Sequence, residues 1–452
     1  MTRLARYAFI AAVACALCLS YCLFNTRHLS RSIGYDEVYY FFWVDNWGKG
    51  EVYYPHHLLF APVSVVFHRF FSALSGITDT AFIQRFKNIL VVSVGLSVFF
   101  LLFYAHSRKF LLSLTVAVLI GISCSLWHDA RQNETAAIPG VIITLTMFSL
   151  VFYRRARFPV LFIAVFAVFN SLAILLHQAL LFSVPSAALV FFFGARTAAF
   201  RTLRRLGRTG LYLLLMIAMV GGAYFYVGFV KLRLQLVDNT RGMQTYQAMN
   251  IRGNFIRYFY LIHAQGKWGS YRSDMLGKGI GGYLSSFVAG ARIDRIDPEN
   301  PLGNESFPSI ATAVLIGTML LLLLLLFMPM FRRYGVLYPA LLVWFVIGSL
   351  FIFWWEPAYI EHWLYITILT WVLAFMMVVA VLERLKHPLP KTAAYAAVCL
   401  ILWSFGLLAY RENFTRSVLV HERLTLPKSA RSFAWKDEYR MDSIYNTPPQ
   451  DK

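Results

Sequence analysis

Charge is scarce in this chain. Asp, Glu, Lys and Arg supply 14% of the 452 residues, against roughly a quarter in soluble domains. Hydrophobic residues supply 59%, and the mean hydropathy is +0.59. A water-soluble fold cannot hide that much apolar surface. A bilayer can, because helices of about 20 apolar residues satisfy their own backbone groups. Negative charge is scarcer still, with 22 acidic against 42 basic residues and a formal net charge of +20. In a soluble protein that excess points to nucleic acid. Here the Arg and Lys lie mostly in short connectors between apolar runs, where positive charge sets membrane orientation, so no nucleic-acid partner is expected.

Cysteine is sparse too. Cys15, Cys18, Cys22, Cys124 and Cys399 all sit inside apolar runs, which leaves no disulfide framework. Cys15, Cys18 and Cys22 share a helix face at a spacing superficially like a metal motif. Among Ala, Leu and Val they read as small packing residues. No small-residue cleavage site follows the first apolar run, so Tyr7–Phe24 reads as an uncleaved helix. Internal repeats and low-complexity tracts are lacking. So is a Gly-rich phosphate loop on a strand–helix unit, which removes a soluble nucleotide-sugar site.

What the chain has in quantity is apolar runs. They lie near residues 7–24, 88–105, 110–127, 136–153, 158–176, 178–194, 210–230, 308–330, 336–354, 362–382 and 393–410. They predict an all-α polytopic membrane protein with about eleven transmembrane helices over residues 1–410. Arg3/Arg6, Arg108/Lys109, Arg154/Arg155/Arg157, the run from Arg196 to Arg208, Arg332/Arg333 and Arg384/Lys386/Lys391 all fall on one side. The positive-inside rule makes that side cytoplasmic, together with the N-terminus. The other side then receives loop one (about 25–87), short segments at His128–Ala136 and Trp355–Glu361, a large loop (about 231–307) and a tail (411–452). The tail is too short for its own core. Within loop one, His57–Leu74 is apolar but carries Pro62, His68 and Arg69. It fits an interfacial helix better than a span.

Few ionisable residues fall at mid-membrane depth, where an ion-coupled transporter needs them. The polar groups gather instead at the outer helix ends: Asp36 and Glu37; His56 and His57; His128, Asp129, Arg131 and Glu134; His177 and Gln178; Glu356, Glu361 and His362. In a compact bundle these could converge on one outer pocket.

The segment Ser32-Ile-Gly-Tyr-Asp-Glu-Val-Tyr-Tyr-Phe-Phe carries an Asp-Glu pair soon after the first helix, followed by aromatics. It resembles the GT-C glycosyltransferase superfamily, in particular protein O-mannosyltransferases and the aminoarabinose transferases that act on lipid A. The motif likeness is confined to Tyr35–Tyr40; the topology agrees over most of the chain. The resemblance implies a multi-pass enzyme that takes sugar from a polyprenyl-phosphate carrier, with interfacial helices in its first outer loop. The His56-His57 pair departs from the mannosyltransferase pattern, which leaves subfamily and acceptor open.

That chemistry needs a carboxylate to take the acceptor hydroxyl's proton and cations to stabilise the departing phosphate. Asp36 is the candidate base and Glu37 the second, against the plainer reading of a solvated acidic pair. Arg85, Lys87, Arg131, Arg257, Lys267 and Arg272 are candidates for the donor phosphate, since Arg binds two oxygens at once. The plainer reading is interfacial anchoring, and it applies equally to the aromatic stretch Asn254–Trp268. Tyr35, His56, His57, His128, Asp129, Glu134, Glu356 and His362 are candidates for substrate contact. Trp354, Trp355 and Trp363 suit a sugar ring or an aromatic belt. His56 and His57 with Asp36, Glu37 and Asp129 could also hold a divalent metal; no cofactor is certain, and some GT-C members use none. Asn133-Glu-Thr, Asn304-Glu-Ser and Asn413-Phe-Thr match the N-glycosylation acceptor pattern, which chance supplies at this length.

The expected function is transfer of a sugar from a polyprenyl-phosphate-linked donor to a lipid or cell-envelope glycan acceptor, on the outer face of what suits a bacterial inner membrane. The alternatives are a lipid-linked glycan transporter or flippase, a polysaccharide polymerase or ligase, and a non-catalytic scaffold. A transporter should line a path through the bundle with polar groups. A polymerase relies on paired outer arginines rather than an early carboxylate pair.

Overall fold

The computed structural model describes residues 2–29, 40–41, 44–45, 47, 57–153, 155–194, 201–227, 280, 282–288, 310–355 and 362–414. Helices account for nearly all of them, with no strand among the described residues. α1 (Arg3–Arg27) starts where the Thr2 hydroxyl accepts the Ala5 amide, a side-chain N-cap. α2 (Phe60–Ser75) stops at Gly76, whose φ of 72° suits the residue without a Cβ. Three residues on, the Asp79 carboxylate accepts the Phe82 amide and opens α3 (Thr80–Ser107). There follow α4 (Phe110–Ile122), α5 (Cys124–Arg131), α6 (Ala137–Tyr153) and α7 (Pro159–Leu176). A tight turn at Gln178–Phe182 leads into α8 (Ser183–Phe193). α9 (Arg201–Met216) continues through a wide turn at Ile217–Gly221 to Phe225. The last five are α10 (Ile310–Leu325), α11 (Phe327–Tyr334), α12 (Leu337–Trp355), α13 (Leu364–Arg384) and α14 (Pro388–Phe414).

Six helical stretches are long and apolar enough to cross a membrane, or up to eight if the bent pairs α4–α5 and α10–α11 each count as one span. The expected eleven runs fall on helix where they are described. Six meet the length test, two are the bent pairs, and three are shorter apolar helices: α6, the Gln178–Phe193 unit and α12. The fourth short apolar helix is α2, on the stretch expected to be interfacial.

α13 is the axis of the bundle. Its side chains are buried nearly all round, and it packs against α4, α6, α12 and α14. α1, α9 and α14 are peripheral and turn most of their apolar side chains outward, as lipid-facing helices do. α6 is clasped between α3 and α13 at two glycines. A Cβ on Gly95 would lie 2.2 Å from Val141 Cγ1, and one on Gly140 would lie 2.4 Å from Leu364 Cδ2. Small residues allow such close crossings in membranes. Gly140→Leu is therefore expected to force α6 off α13 and lower stability by about 1–3 kcal/mol. Reduced monodisperse yield and a lower melting temperature in detergent would show it; a variant that melts with the wild type would refute the close crossing.

The helix ends sort onto two rims. At one, the Arg6 guanidinium donates to the Tyr104 hydroxyl at 2.6 Å, His106 lies beside Tyr334, and Arg333 pairs with Glu383 at 2.6 Å. The ends of α1, α3, α11 and α13 thus meet there, among the basic connectors. The opposite rim gathers His28, the start of α3, α5, and the start of α13.

α4 and α5 meet at a 60° bend at Ser123. A helix that starts inside protein leaves amide protons that need partners. They come from the far end of the large loop: the Cys124 and Ser125 amides donate to Phe287 O and Ser286 O, at 3.1 and 3.0 Å. The Asn413 side-chain amide donates to Ile122 O at 2.7 Å and to Phe287 O at 3.3 Å. The Trp371 indole donates to Ser123 Oγ at 2.9 Å. Tyr283 and Ser286 anchor the same segment to α13 through Thr370, at 2.8 Å, and Thr367. Asn413 and Asn133 are 3% and 0% exposed, so the folded chain hides both from a glycosylating enzyme. Asn304 lies outside the described residues.

Candidate functional site

The second rim is built around the first turns of α3. Sequence placed Arg85 and Lys87 in a loop before a helix at residue 88. The helix in fact begins at Thr80, and Gln84, Arg85, Lys87 and Asn88 are all buried within it. Twenty-eight residues make about 42 Å of helix, more than a hydrocarbon core of about 30 Å requires. The polar turns are kept helical by partners inside the protein.

Lys87 has three ammonium protons and three acceptors: Ser64 Oγ at 2.7 Å, Gln84 Oε1 at 2.9 Å and Asn133 Oδ1 at 3.3 Å. It also sits 4.3 Å over the Phe60 ring, a favourable cation–π position. A phosphate would have to displace one of these partners, so the geometry makes Lys87 a strut joining α2, α3 and the turn after α5. Asn88 does similar work. Its amide donates to Glu134 O at 2.9 Å, Gln132 O at 3.0 Å and Asp129 O at 3.4 Å. This clamp sets the path of the chain from Asp129 to Glu134.

α5 bends away from α4, is much more polar, and we take it as a rim helix outside the spanning segments. It carries three of the candidates. Arg131, nearly buried, donates through Nε to His28 O at 2.6 Å, tying α5 to the end of α1, eight residues before Asp36. Arg85 is close enough for the two guanidinium charges to interact. Arg85 also lies 5.9 Å over the Phe41 ring, a residue that follows the Asp-Glu motif. So two buried cations stand at the place where the motif segment leaves and re-enters the described structure.

Asp129 faces the other way. It is 0% exposed, its Oδ1 lies 3.3 Å from His128 Nδ1, and its Oδ2 has no hydrogen-bond partner. Burial raises its carboxyl above the usual range, against the opposing pull of His128 and, more weakly, His362 at the start of α13. Gln132 Nε2 lies 3.2 Å from His128 Nε2. His128, Asp129 and His362 therefore share one part of the rim, and Arg85 and Arg131 another, with the Asn88 clamp between them.

His57 completes the rim from α2's side. Its Nδ1 is 3.1 Å from Leu176 O, which accepts a proton, so in the neutral ring Nε2 accepts from Thr135 Oγ1 at 3.4 Å. The His177 ring packs on it with centroids 4.8 Å apart. The main-chain oxygen of Glu134 is held by Asn88. Tyr35, Asp36, Glu37, His56, Arg257, Lys267, Arg272 and Glu356 lie outside the described residues. Sequence reasoning passed over Asn88, Gln84 and Ser64. Their only signal was polarity at the edge of an apolar run.

The residues present test the metal expectation. His128 and Asp129 are adjacent donors, yet among the described residues no group of three His, Cys, Asp or Glu could hold an ion.

The chain matches no protein-family model, and no curated protein matches it in sequence. Solved structures do match it. One is the archaeal oligosaccharyltransferase AglB from Archaeoglobus fulgidus in complex with an inhibitory peptide and a dolichol-phosphate: 14% identity, 99% of this chain and 60% of that one, TM-score 0.55. Another is the Archaeoglobus fulgidus oligosaccharyltransferase in complex with Zn and sulfate: 14% identity, 98% of this chain and 58% of that one, TM-score 0.54. The chain spans about three-fifths of these longer proteins, and at such identity the likeness is one of fold. The chain is thus a multi-pass membrane protein whose fold is like that of these oligosaccharyltransferases.

Proposed function

We propose that the chain is a membrane glycosyltransferase that moves a sugar from a polyprenyl-phosphate-linked donor to a lipid or cell-envelope glycan acceptor, at the rim carrying Arg85, Arg131 and Asp129. One observation carries the proposal: nearly the whole chain follows the fold of an oligosaccharyltransferase solved with a dolichol-phosphate. The rim adds suitable chemistry. Two buried guanidiniums beside the motif segment match a phosphate's geometry, and Arg85 lies over the Phe41 ring.

In this scheme the Asp36 carboxylate, with Glu37 second, removes the acceptor hydroxyl's proton as its oxygen attacks the sugar's anomeric carbon. The bond from that carbon to the phosphate oxygen breaks with inversion. The electron pair leaves on the carrier phosphate, where Arg85 and Arg131 stabilise it. Arg257, Lys267 and Arg272 are further phosphate candidates. Tyr35, His56, His57, His128, Glu134, Glu356 and His362 are candidates for contacts to sugar and acceptor. A divalent metal could join Asp36 and Asp129, but no step above runs through one. The compartment follows from the basic connectors: the catalytic rim faces the periplasm, or its equivalent, of a bacterial inner membrane.

The test uses the purified full-length chain, a radiolabelled polyprenyl-phosphate sugar and a membrane extract as acceptor source. Label should pass to acceptor with equimolar release of polyprenyl phosphate. Donor that crosses liposome membranes intact, with no such release, would establish the flippase alternative instead.

A further inference from the structure

The opposite, basic rim holds a second set of polar groups that the transfer reaction leaves unused. Arg201, Arg204, Arg205 and Arg208 recur at a helix's i, i+3, i+4, i+7 spacing in the first half of α9, so the four positions share one face. Arg204 is exposed and Arg205 and Arg208 are half-buried, and further along the same face the helix turns inward. Tyr212 and Met216, on the same face, are 0% and 4% exposed. The opposite face carries Leu203, Leu206, Leu214 and Ile217, all exposed. Leu203 and Leu206 therefore face lipid at the level at which Arg205 and Arg208 stand half-buried on the other side of the helix.

The inward side ends in a seam against α6 and α8. Tyr153, the last residue of α6, packs on Phe191 of α8 with ring centroids 5.0 Å apart, and Phe191 packs on Tyr212 at 5.0 Å. Arg208 is one turn before Tyr212, and its charge reaches the Tyr153 hydroxyl. Two buried polar atoms along this seam, Arg205 Nε and Thr209 Oγ1, have no hydrogen-bond partner, and the Tyr153 hydroxyl lies against the Arg208 side chain. Orphaned buried donors are rare in native proteins and call for an explanation. No carboxylate supplies one. Glu383 is the one acidic residue at this rim among the described residues, and it is engaged by Arg333 at 2.6 Å.

We infer that this seam binds the phosphate of an anionic phospholipid, held by Arg205, Arg208 and the Tyr153 hydroxyl, with the acyl chains in the surrounding bilayer. Two guanidiniums and two hydroxyls with no carboxylate among them suit an oxyanion. Arginine gives it two parallel bonds. The lipid-facing leucines on the far side of α9 put the seam at the edge of the bilayer, which favours a lipid phosphate over a soluble one. The site is separate from the transfer rim, so it stands or falls apart from the proposed activity.

The test is lipid retention by the full-length protein, read by native mass spectrometry after exchange from vesicles of phosphatidylcholine with or without phosphatidylglycerol. Wild type is expected to keep phosphatidylglycerol in preference to phosphatidylcholine. The Arg205→Gln/Arg208→Gln pair should weaken that retention roughly tenfold or more. The matching Lys pair should recover part of it, since Lys supplies the charge without the fork. Should the Gln pair fail to fold, Tyr153→Phe, which removes one oxygen, carries the test with a loss of about threefold. Equal retention of the two lipids by wild type, or unchanged retention in the folded variants, overturns the site. Full displacement by millimolar inorganic phosphate overturns the lipid as its occupant.

Discussion

Asp36→Asn is expected to lower turnover of a polyprenyl-phosphate-linked sugar by about two to four orders of magnitude, the usual worth of a positioned general base. The amide keeps the shape of the carboxylate but cannot accept the acceptor's proton. Donor binding is held mainly by cations and the carrier lipid, so kcat should fall while the KM for donor stays within about threefold. Glu37→Gln should produce the smaller loss. The measurement is the initial rate of polyprenyl-phosphate release by purified protein at saturating donor, repeated across pH. Wild type should lose activity as pH falls through the carboxylate range, and Asp36→Asn should lose that limb of the profile. Unchanged turnover in both variants would remove the early carboxylates from the chemistry.

Asn88→Leu should have the largest effect on the fold of the rim. The substitution keeps roughly the same volume, but removes the donor that three carbonyls share, those of Asp129, Gln132 and Glu134. Buried acceptors left without partners carry a penalty of about 1–3 kcal/mol each when fully stranded. Because the longest of the three contacts is weak, we expect a combined destabilisation of about 2–4 kcal/mol. Asn88→Asp should be no better, since it sets a carboxylate against three carbonyl oxygens. Thermal unfolding in detergent reads the first effect. Turnover reads the second, because the clamp fixes where Asp129 and Arg131 stand. A variant that melts and turns over like wild type would show that the chain between Asp129 and Glu134 holds itself.

The helical character and the two-rim arrangement were legible in the residues, because apolar runs and basic connectors are local features. Each run is helical where it is described, and Arg6 and Arg333 stand at helix ends that meet on one rim. The start of α3 was not legible. Gln84, Arg85, Lys87 and Asn88 look like loop residues, and only partners on α2 and in the turn after α5 make them a buried helix. The bend at Ser123 was hidden for the same reason: the carbonyls that receive its amides belong to Ser286 and Phe287, far along the chain. Of the candidates grouped as His128, Asp129, Arg131 and Glu134, the first two lie side by side. Arg131, two residues on, belongs to a different group because a helix turns it toward α1. Lys87 shows the limit of composition most clearly. A lone cation beside a membrane span invites an anion, whereas three protein oxygens already share its protons.

The mooring of residues 282–288 has a mechanical consequence. Two carbonyls of that stretch receive the leading amides of α5, and Asn413 bridges it to the end of α4. The segment cannot lift without baring both helix ends at once. Traction on the chain at this point is therefore transmitted to the element bearing His128, Asp129 and Arg131. Loop and rim helix behave as a lever and its fulcrum, with the last helix as the bracket that holds them.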